Sequence, residues 1–170
     1  TKPLTAIVLE GLLSPLMDSV NMVNAPVVAR ERDIDVTETA NQKEGDYTSL
    51  IRLTVKTERR ERTVAGTLPA DAKPRLVEVN GIAIEAELGP HMLYLVNADK
   101  PGFIGHLGTV LGDAQVNIAT FQLGRTKIDG EAIALVEVDD ALTDDVLADV
   151  SSLDLVRQAK VLHFPRPASG

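Results

Sequence analysis

The chain has 170 residues, a formal net charge of −8 and no cysteine, and 44% of its residues are apolar. This acidic balance argues against nucleic-acid binding, because a phosphate-contacting surface needs clustered Lys and Arg. The lack of cysteine rules out a disulfide framework and is compatible with a reducing, cytoplasmic location. No apolar stretch approaches the roughly 20 residues that a membrane-spanning helix needs, so we expect no membrane and no nucleic-acid partner.

The N-terminal part of the chain has the spacing of helices. A first helix is predicted from apolar residues near helical spacing, namely Leu4, Ile7, Val8, Leu12 and Leu13. Ser14-Pro15 predicts the start of a second helix, because a capping hydroxyl followed by proline suits a helix N-terminus. Asn24-Ala25-Pro26 predicts a third helix by the same rule, running through Arg32.

After Asp33 the apolar period changes to two, which is typical of half-buried strands. Alternating apolar residues predict strands at 34–36, 51–56, 62–68, 76–79 and 82–87. The last two strands are joined by Asn80-Gly81, a hairpin signal. Because helices come first and strands follow, residues 1–88 are predicted to form an α+β domain.

The most informative segment runs from Leu93 to Asn117. An apolar strand is followed by the turn Lys100-Pro101-Gly102, a helix and a second turn that leads into the next strand. We expect this order to bring the two turns to the same end of the sheet, so that Asp99 and Asn117 face one another beside the helix N-terminus. A carboxylate, a carboxamide and free backbone N–H groups suit a ligand with an ammonium and a carboxylate, which is a free amino acid.

The helix in this segment has an apolar side and a glycine side. At roughly 100° per residue, one arc carries Phe103, Ile104, Leu107, Val110 and Leu111. The adjoining arc carries Gly102, Gly105, Gly108 and Gly112. Glycine in a helix costs about 1 kcal/mol relative to alanine, so this arc indicates either a ligand or neighbour close to the backbone, or tight packing of the helix on its sheet. The spacing does not match the G-x-G-x-x-G dinucleotide fingerprint.

The remaining residues continue the alternation of strands and helices. Strands are predicted at 118–127, 132–138 and 155–164, with a hairpin turn at Ile128-Asp129-Gly130. Thr143 is predicted to cap a short helix that runs through Val150. Residues 91–164 are therefore predicted to form a β-α-β-β-α-β, ferredoxin-like domain, followed by a tail at 165–170.

Two groups of residues carry a family resemblance. Residues 91–164, with Asp99-Lys100-Pro101-Gly102 and Val116-Asn117-Ile118, resemble an ACT domain, a small-molecule-sensing module attached to enzymes of amino-acid metabolism. The segments 18–32, 66–68 and 75–81 resemble the intervening regulatory domain of long-form D-3-phosphoglycerate dehydrogenases. The resemblance implies a catalytic, NAD-binding part that precedes both domains. It also implies a strand before Thr1, so we expect domain 1–88 to be truncated, with its sheet incomplete or finished by residues elsewhere.

The resemblance further implies an L-serine site where two ACT domains meet. Asn97 lies at the strand-end position, where relatives vary, and Asp99 matches the position that holds the ammonium group. Gly102 matches the glycine whose amide faces the carboxylate, and Asn117 matches the amide contact. The alternative interpretation of Asp99 and Asn117 is that both are plain turn residues.

Some relatives bind a second, acidic or phosphate-bearing effector in the intervening domain. The candidates for such a site here are Asn21, Asn24 and, at the hairpin, Arg75. For Asn21 and Asn24, as for Arg30, the alternative interpretation is a helix cap or a surface group. The predicted strand 82–87 offers no basic group, which argues against binding of an acidic effector.

The catalytic residues and the NAD-binding domain of that family are not found in this chain. Its histidines, His91, His106 and His163, are scattered singly, so no metal site is predicted. We therefore expect the regulatory portion of an NAD-dependent enzyme of L-serine biosynthesis, with no catalytic residue or cofactor of its own. Its expected partners are L-serine, a second copy in a homodimer or tetramer, and a missing catalytic domain. The alternative is an oligomerisation module that binds no effector.

Overall fold

The computed structural model describes residues 2–40, 47, 49–126 and 130–164. Its framework separates into two compact units, residues 1–43 and 44–170. Among the described residues, the first unit contains two helices, and the second contains two four-stranded sheets and two further helices. The predicted α+β class is therefore confirmed. The domain boundaries 1–88 and 91–164 stay predictions, since they follow the family resemblance.

The first unit is a pair of helices, α1 (Lys2–Leu13) and α2 (Ala25–Glu31). They pack through a small apolar core, which consists of Leu9, Leu13, Val20, Ala25 and Ala29. The helix predicted at Ser14-Pro15 does not form. The Ser14 amide donates to the Glu10 carbonyl at the end of α1, and Leu16 and Met17 continue as tight turns. Ser14 thus closes α1, and Pro15, which has no N–H to donate, stops it.

The strand predicted at 34–36 is also wrong, because these residues lie in no strand and Ile34 completes the C-terminus of α2. Asp33 has a left-handed backbone with φ 54°, its amide donates to Arg30, and the Ile34 amide donates to the Ala29 carbonyl. This pair of bonds is the Schellman motif, in which an apolar residue past the cap packs back on the helix. Ile34 accordingly packs against the apolar core of the first unit.

The first sheet is an antiparallel meander in the order β1-β2-β3-β4. Its strands are β1 (Ile51–Lys56), β2 (Glu61–Thr67), β3 (Arg75–Val79) and β4 (Ile82–Glu87), as the period-two pattern predicts to within two residues at either end. Asn80 and Gly81 have φ values of 50° and 80°, which is the backbone that a two-residue hairpin turn of type I′ requires.

The second sheet has the order β6-β7-β5-β8, the ferredoxin-like arrangement. Its elements are β5 (His91–Ala98), α3 (Phe103–Asp113), β6 (Ile118–Arg125), β7 (Glu131–Val138), α4 (Asp144–Ser151) and β8 (Val156–His163). Thr143 accepts a hydrogen bond from the Val146 amide, so the predicted cap of α4 is confirmed. The hairpin turn predicted at 128–130 lies mostly outside the described residues.

The second sheet is covered on both faces. On one face α3 and α4 bury a core that includes Leu93, Leu95, Leu107 and Val136. On the other face the buried side of β4 meets the sheet, in a cluster that includes Ile82, Ile84, Met92, Ile133 and Leu135. The second sheet therefore lies between two apolar clusters, and β5 and β7 contribute side chains to both.

A candidate effector site at the end of β5

Asn97 is the one polar residue among the fully buried side chains of the described chain. It is 1% exposed, its amide nitrogen donates to the Ala98 carbonyl at 3.0 Å, and its Oδ1 atom has no hydrogen-bond partner among the described residues. Strand side chains alternate between faces, so Asn97 lies on the same side as Leu93 and Leu95, which pack under α3. A buried acceptor without a partner costs about 1–3 kcal/mol, and it is a group that a bound donor would satisfy.

Three residues form a row across the sheet at this end. Arg125 of β6 lies opposite Ala132 of β7, and Ala132 lies opposite Asn97 of β5. Residues directly opposite in neighbouring strands share a face, and strands are roughly 4.8 Å apart. Ala132 is small and fully buried. The longer side chains of Arg125 and Asn97 therefore flank a shallow depression on the helix side of the sheet.

Asp99 lies in the turn that follows this row. Its amide donates to the Gly130 carbonyl at 2.9 Å, which ties the turn to the start of β7. Its carboxylate, 15% exposed, forms an ion pair with Arg125 at 3.3 Å. Asp99, Asn97 and Arg125 are thus brought together by register and by the turn.

The N-terminus of α3 supplies hydrogen-bond donors at the same place. Gly102 precedes the helix with φ 95° and makes no side-chain cap, and the first intrahelical bond here is from the His106 amide to the Gly102 carbonyl. The amides of the first turn are therefore left to a ligand or to water, and the helix dipole favours an anion there. Acceptors for an ammonium group and donors for a carboxylate therefore lie in one short segment, from Asn97 to the first turn of α3.

Asn117 does not lie at this end of the sheet, and the prediction that it faces Asp99 within one chain is wrong. β5 and β6 both run antiparallel to β7, so the end of β5 and the start of β6 are at opposite ends of the sheet. The Asn117 amide donates to the Asp139 carboxylate at 2.6 Å, beyond the far end of β7. With eight residues in β7, at roughly 3.3 Å each, the two ends are more than about 20 Å apart.

The glycine arc of α3 is open. A Cβ atom on Gly105, Gly108 or Gly112 would meet no atom within 4 Å outside the helix itself. Tight packing of α3 on its own sheet, one of the two interpretations of this arc, therefore does not explain the glycines. The apolar arc is also narrower than predicted: Phe103, Leu107 and Leu111 are buried, whereas Ile104 is 56% exposed. Side chains spaced four apart suffice to cover the sheet.

The second predicted site is occupied by local hydrogen bonds. Asn21 accepts from the amides of Val23 and Asn24, and Asn24 accepts from the Asn21 amide and donates to the Ser19 carbonyl. These bonds build the loop before α2. Arg75, in the other unit, forms an ion pair with Asp71 at 2.6 Å. A second effector site at these residues stays a prediction.

Other polar groups lie outside the candidate site. His91 and His163 are cross-strand neighbours with ring centroids 5.2 Å apart. Within the described residues, no group of three or more His, Asp or Glu side chains could hold a metal ion. Burial raises the pKa of the Tyr94 phenol above its ordinary 10.0, while Arg62 lowers it and Glu131 raises it to lesser extents. Tyr94 packs on the sheet face away from the helices, so it belongs to the core.

The turn before α3 does not lie in the topology of a dinucleotide fold. A dinucleotide fold needs neighbouring parallel strands around its glycine-rich turn, but β7 separates β5 from β6. Nor is any helix of the described chain long and apolar enough to cross a membrane.

Arg125 is the residue of this cluster that was not predicted from the sequence. Its position follows from the β6–β7 register, which places it opposite Ala132. Only the predicted Asp-Gly turn between these strands could have indicated this position, because counting back from a hairpin turn fixes which residues pair.

Comparison with known proteins identifies two family segments. Residues 1–80 match the D-3-phosphoglycerate dehydrogenase intervening domain, and residues 91–154 match the ACT domain. The chain is 36% identical to D-3-phosphoglycerate dehydrogenase of Bacillus subtilis over 97% of its length and 34% identical to that of Synechocystis over 94%. It is 30% identical to that of Methanocaldococcus jannaschii over 92%. It covers 32%, 29% and 30% of these relatives, so it spans about a third of their length.

Proposed function

Since the chain carries the intervening domain and the ACT domain of D-3-phosphoglycerate dehydrogenases, we propose that it is the regulatory part of such an enzyme and that it binds L-serine between two copies of itself. In this proposal the catalytic domain and its NAD belong to another part of the enzyme, which lies in the cytoplasm. L-serine, the end product of the biosynthetic pathway to which the enzyme belongs, controls the enzyme by feedback.

The buried Oδ1 atom of Asn97 is the observation that carries this proposal. Asn97 lies near the end of β5, which leads through Asp99 and its carboxylate to Gly102 and the open amides of α3. An ammonium group would satisfy both acceptors, and a carboxylate would take the amides. An assembly module without an effector, the alternative function, gives no reason for this orphaned acceptor.

The separation of Asp99 from Asn117 supports a site shared by two chains. β6 is an edge strand of the described sheet, and unpaired edges are ready to pair with another chain. In a two-fold dimer, if residue i of the first copy contacts residue j of the second, residue j of the first copy also contacts residue i of the second. Antiparallel pairing of two β6 strands would therefore bring Asp99 of one copy towards Asn117 of the next.

Calorimetry with L-serine tests the binding site. We expect Asp99→Asn to weaken binding by about 10- to 100-fold, because hydrogen bonds to charged groups contribute roughly 1.5–3 kcal/mol. Asp113→Asn, which removes an exposed carboxylate at the other end of α3, is the matched control and should bind like wild type. D-serine controls for stereochemistry. A wild-type chain that gives no heat with L-serine would contradict the proposal and favour the assembly module.

Mixing two defective variants tests whether the site is shared. If Asp99 and Asn117 of different copies form one site, a mixed dimer of Asp99→Asn and Asn117→Ala has one site with both changes and one site with neither. After subunit exchange the mixture should regain about a quarter of the wild-type sites. A mixture as inactive as its components would show that the two residues do not act across an interface.

A further inference from the structure

The ion pair between Asp99 and Arg125 uses only part of each side chain. Arg125 Nη1 contacts Asp99 Oδ2 at 3.3 Å, and Arg125 is 57% exposed. Among the described residues, the Asp99 Oδ1 atom and the other guanidinium nitrogens of Arg125 make no hydrogen bond. A guanidinium has five N–H donors and commonly binds a carboxylate with two of them. Both members of the pair can thus accept a further partner without separating.

The surroundings restrict what that partner can be. Arg125 and Asn97 stand on either side of Ala132 in one row, and the open amides of α3 begin beyond Asp99. The buried acceptor Asn97 Oδ1 therefore belongs to β5 and the guanidinium to the edge strand β6, with the Asp99 carboxylate in contact with the guanidinium. The site has a negative side and a positive side.

An α-amino acid carries one positive and one negative group, which can face the negative and positive groups of the Asp99–Arg125 pair. Its ammonium and carboxylate are attached to one carbon, so its charges are about as close together as those of a contacting ion pair. A zwitterion lying antiparallel to the Asp99–Arg125 pair places each of its charges against the opposite charge. An amide lacks the anion and a 2-hydroxy acid lacks the cation, so neither completes this arrangement.

We infer that Arg125 is a ligand-binding residue of this site, and that, together with the open amides of α3, it binds the α-carboxylate of the amino acid whose ammonium group Asp99 holds. The inference rests on the proposed function, since it names a further contact for the same ligand. Arg125 also makes the site selective for free amino acids, because its guanidinium repels cationic amides and its partner Asp99 repels anionic hydroxy acids.

Binding of two ligands to Arg125→Gln tests this role on the full chain. We expect L-serine to bind at least about tenfold more weakly than to wild type, since a charge-assisted bidentate contact is lost. L-serinamide, which has no carboxylate, should bind weakly to both proteins and no more weakly to the variant. Arg125→Lys should recover part of the L-serine affinity, because it keeps the charge but not the planar pair of donors.

Arg157→Gln is the matched control, because Arg157 is 59% exposed and ion-paired with Glu131 at the same end of the sheet. It should leave L-serine binding unchanged. If Arg125→Gln binds L-serine as tightly as wild type or more tightly, while Asp99→Asn loses binding, Arg125 merely competes for Asp99; the inference fails and the proposed function stands. If wild type binds no L-serine, both fail.

Discussion

Asn97 combines a cost to stability with a proposed role in binding. Its Oδ1 atom is buried without a partner among the described residues, and its amide nitrogen donates only to the neighbouring Ala98 carbonyl. Leu93 and Leu95, which precede it on the same face, are ordinary core residues. Such a local conflict between burial and polarity is what functional sites often retain.

We expect Asn97→Leu to stabilise the chain and abolish L-serine binding. Leucine has a similar branched shape, and it removes an unsatisfied acceptor that costs about 1–3 kcal/mol. The free energy of unfolding in urea should therefore rise by about 1 kcal/mol, while the thermal shift with L-serine disappears.

Leu95→Ala is the control for this strand. It should lower the free energy of unfolding by about 2–5 kcal/mol through cavity formation, and so shows that the assay detects changes under α3. A destabilised Asn97→Leu chain would mean that the Asn97 side chain is satisfied in solution without a ligand.

At the scale of the element, α3 carries glycines that no close neighbour in the described chain requires. A glycine near the middle of a helix weakens it by about 1 kcal/mol relative to alanine, yet Gly105 and Gly108 face no atom within 4 Å beyond the helix. The open arc is therefore a surface on which the backbone of a second copy could lie close.

We expect Gly108→Ala to raise the free energy of unfolding of the dissociated chain by up to about 1 kcal/mol and to weaken association by about 1–3 kcal/mol through overpacking. Urea unfolding at low concentration and sedimentation equilibrium measure the two effects. Gly11→Ala in α1, another helical glycine with no atom nearby, should not alter association. Unchanged association of Gly108→Ala would place the interface elsewhere.

The elements that the sequence predicts well are those with local signals. Asn80-Gly81 specifies its hairpin through backbone angles alone, and Thr143 specifies the start of α4 through one hydrogen bond. The prediction at Ser14-Pro15 failed because the same residues also suit the end of the preceding helix. The prediction of a strand at Ile34 is wrong because a Schellman contact needs only one apolar side chain and shows no periodicity of its own.

In the candidate site, too, only the residues with a local signal could be predicted to lie together. Asn97, Asp99 and Gly102 are close in sequence, so their proximity follows from one strand and one turn. Arg125 depends on the register of a hairpin, and the position of Asn117 depends on the strand order of the whole sheet. Long-range features of this kind are set by packing rather than by the local pattern.

At the scale of the whole molecule, the second unit depends on contact between its two sheets. β4 lies against β6 so closely that a Cβ atom on Gly124 would be 2.5 Å from the Ala83 carbonyl oxygen and 2.9 Å from the Ile82 side chain. The first of these is a backbone atom, which cannot move aside without moving β4. Gly124 also precedes Arg125, so the sheet contact and the candidate site share one strand end.

We therefore expect Gly124→Ala to lower the free energy of unfolding by about 1–3 kcal/mol, because the added methyl group overpacks the interface, and to weaken L-serine binding as β6 shifts beside Asp99. Urea unfolding and calorimetry on the same preparation measure both. Gly112→Ala makes the same chemical change where a Cβ atom meets nothing within 4 Å, so it should not destabilise the chain. If Gly124→Ala matches wild type in both measurements, β4 does not rest on β6 in solution, and the first sheet has no direct route to the effector site.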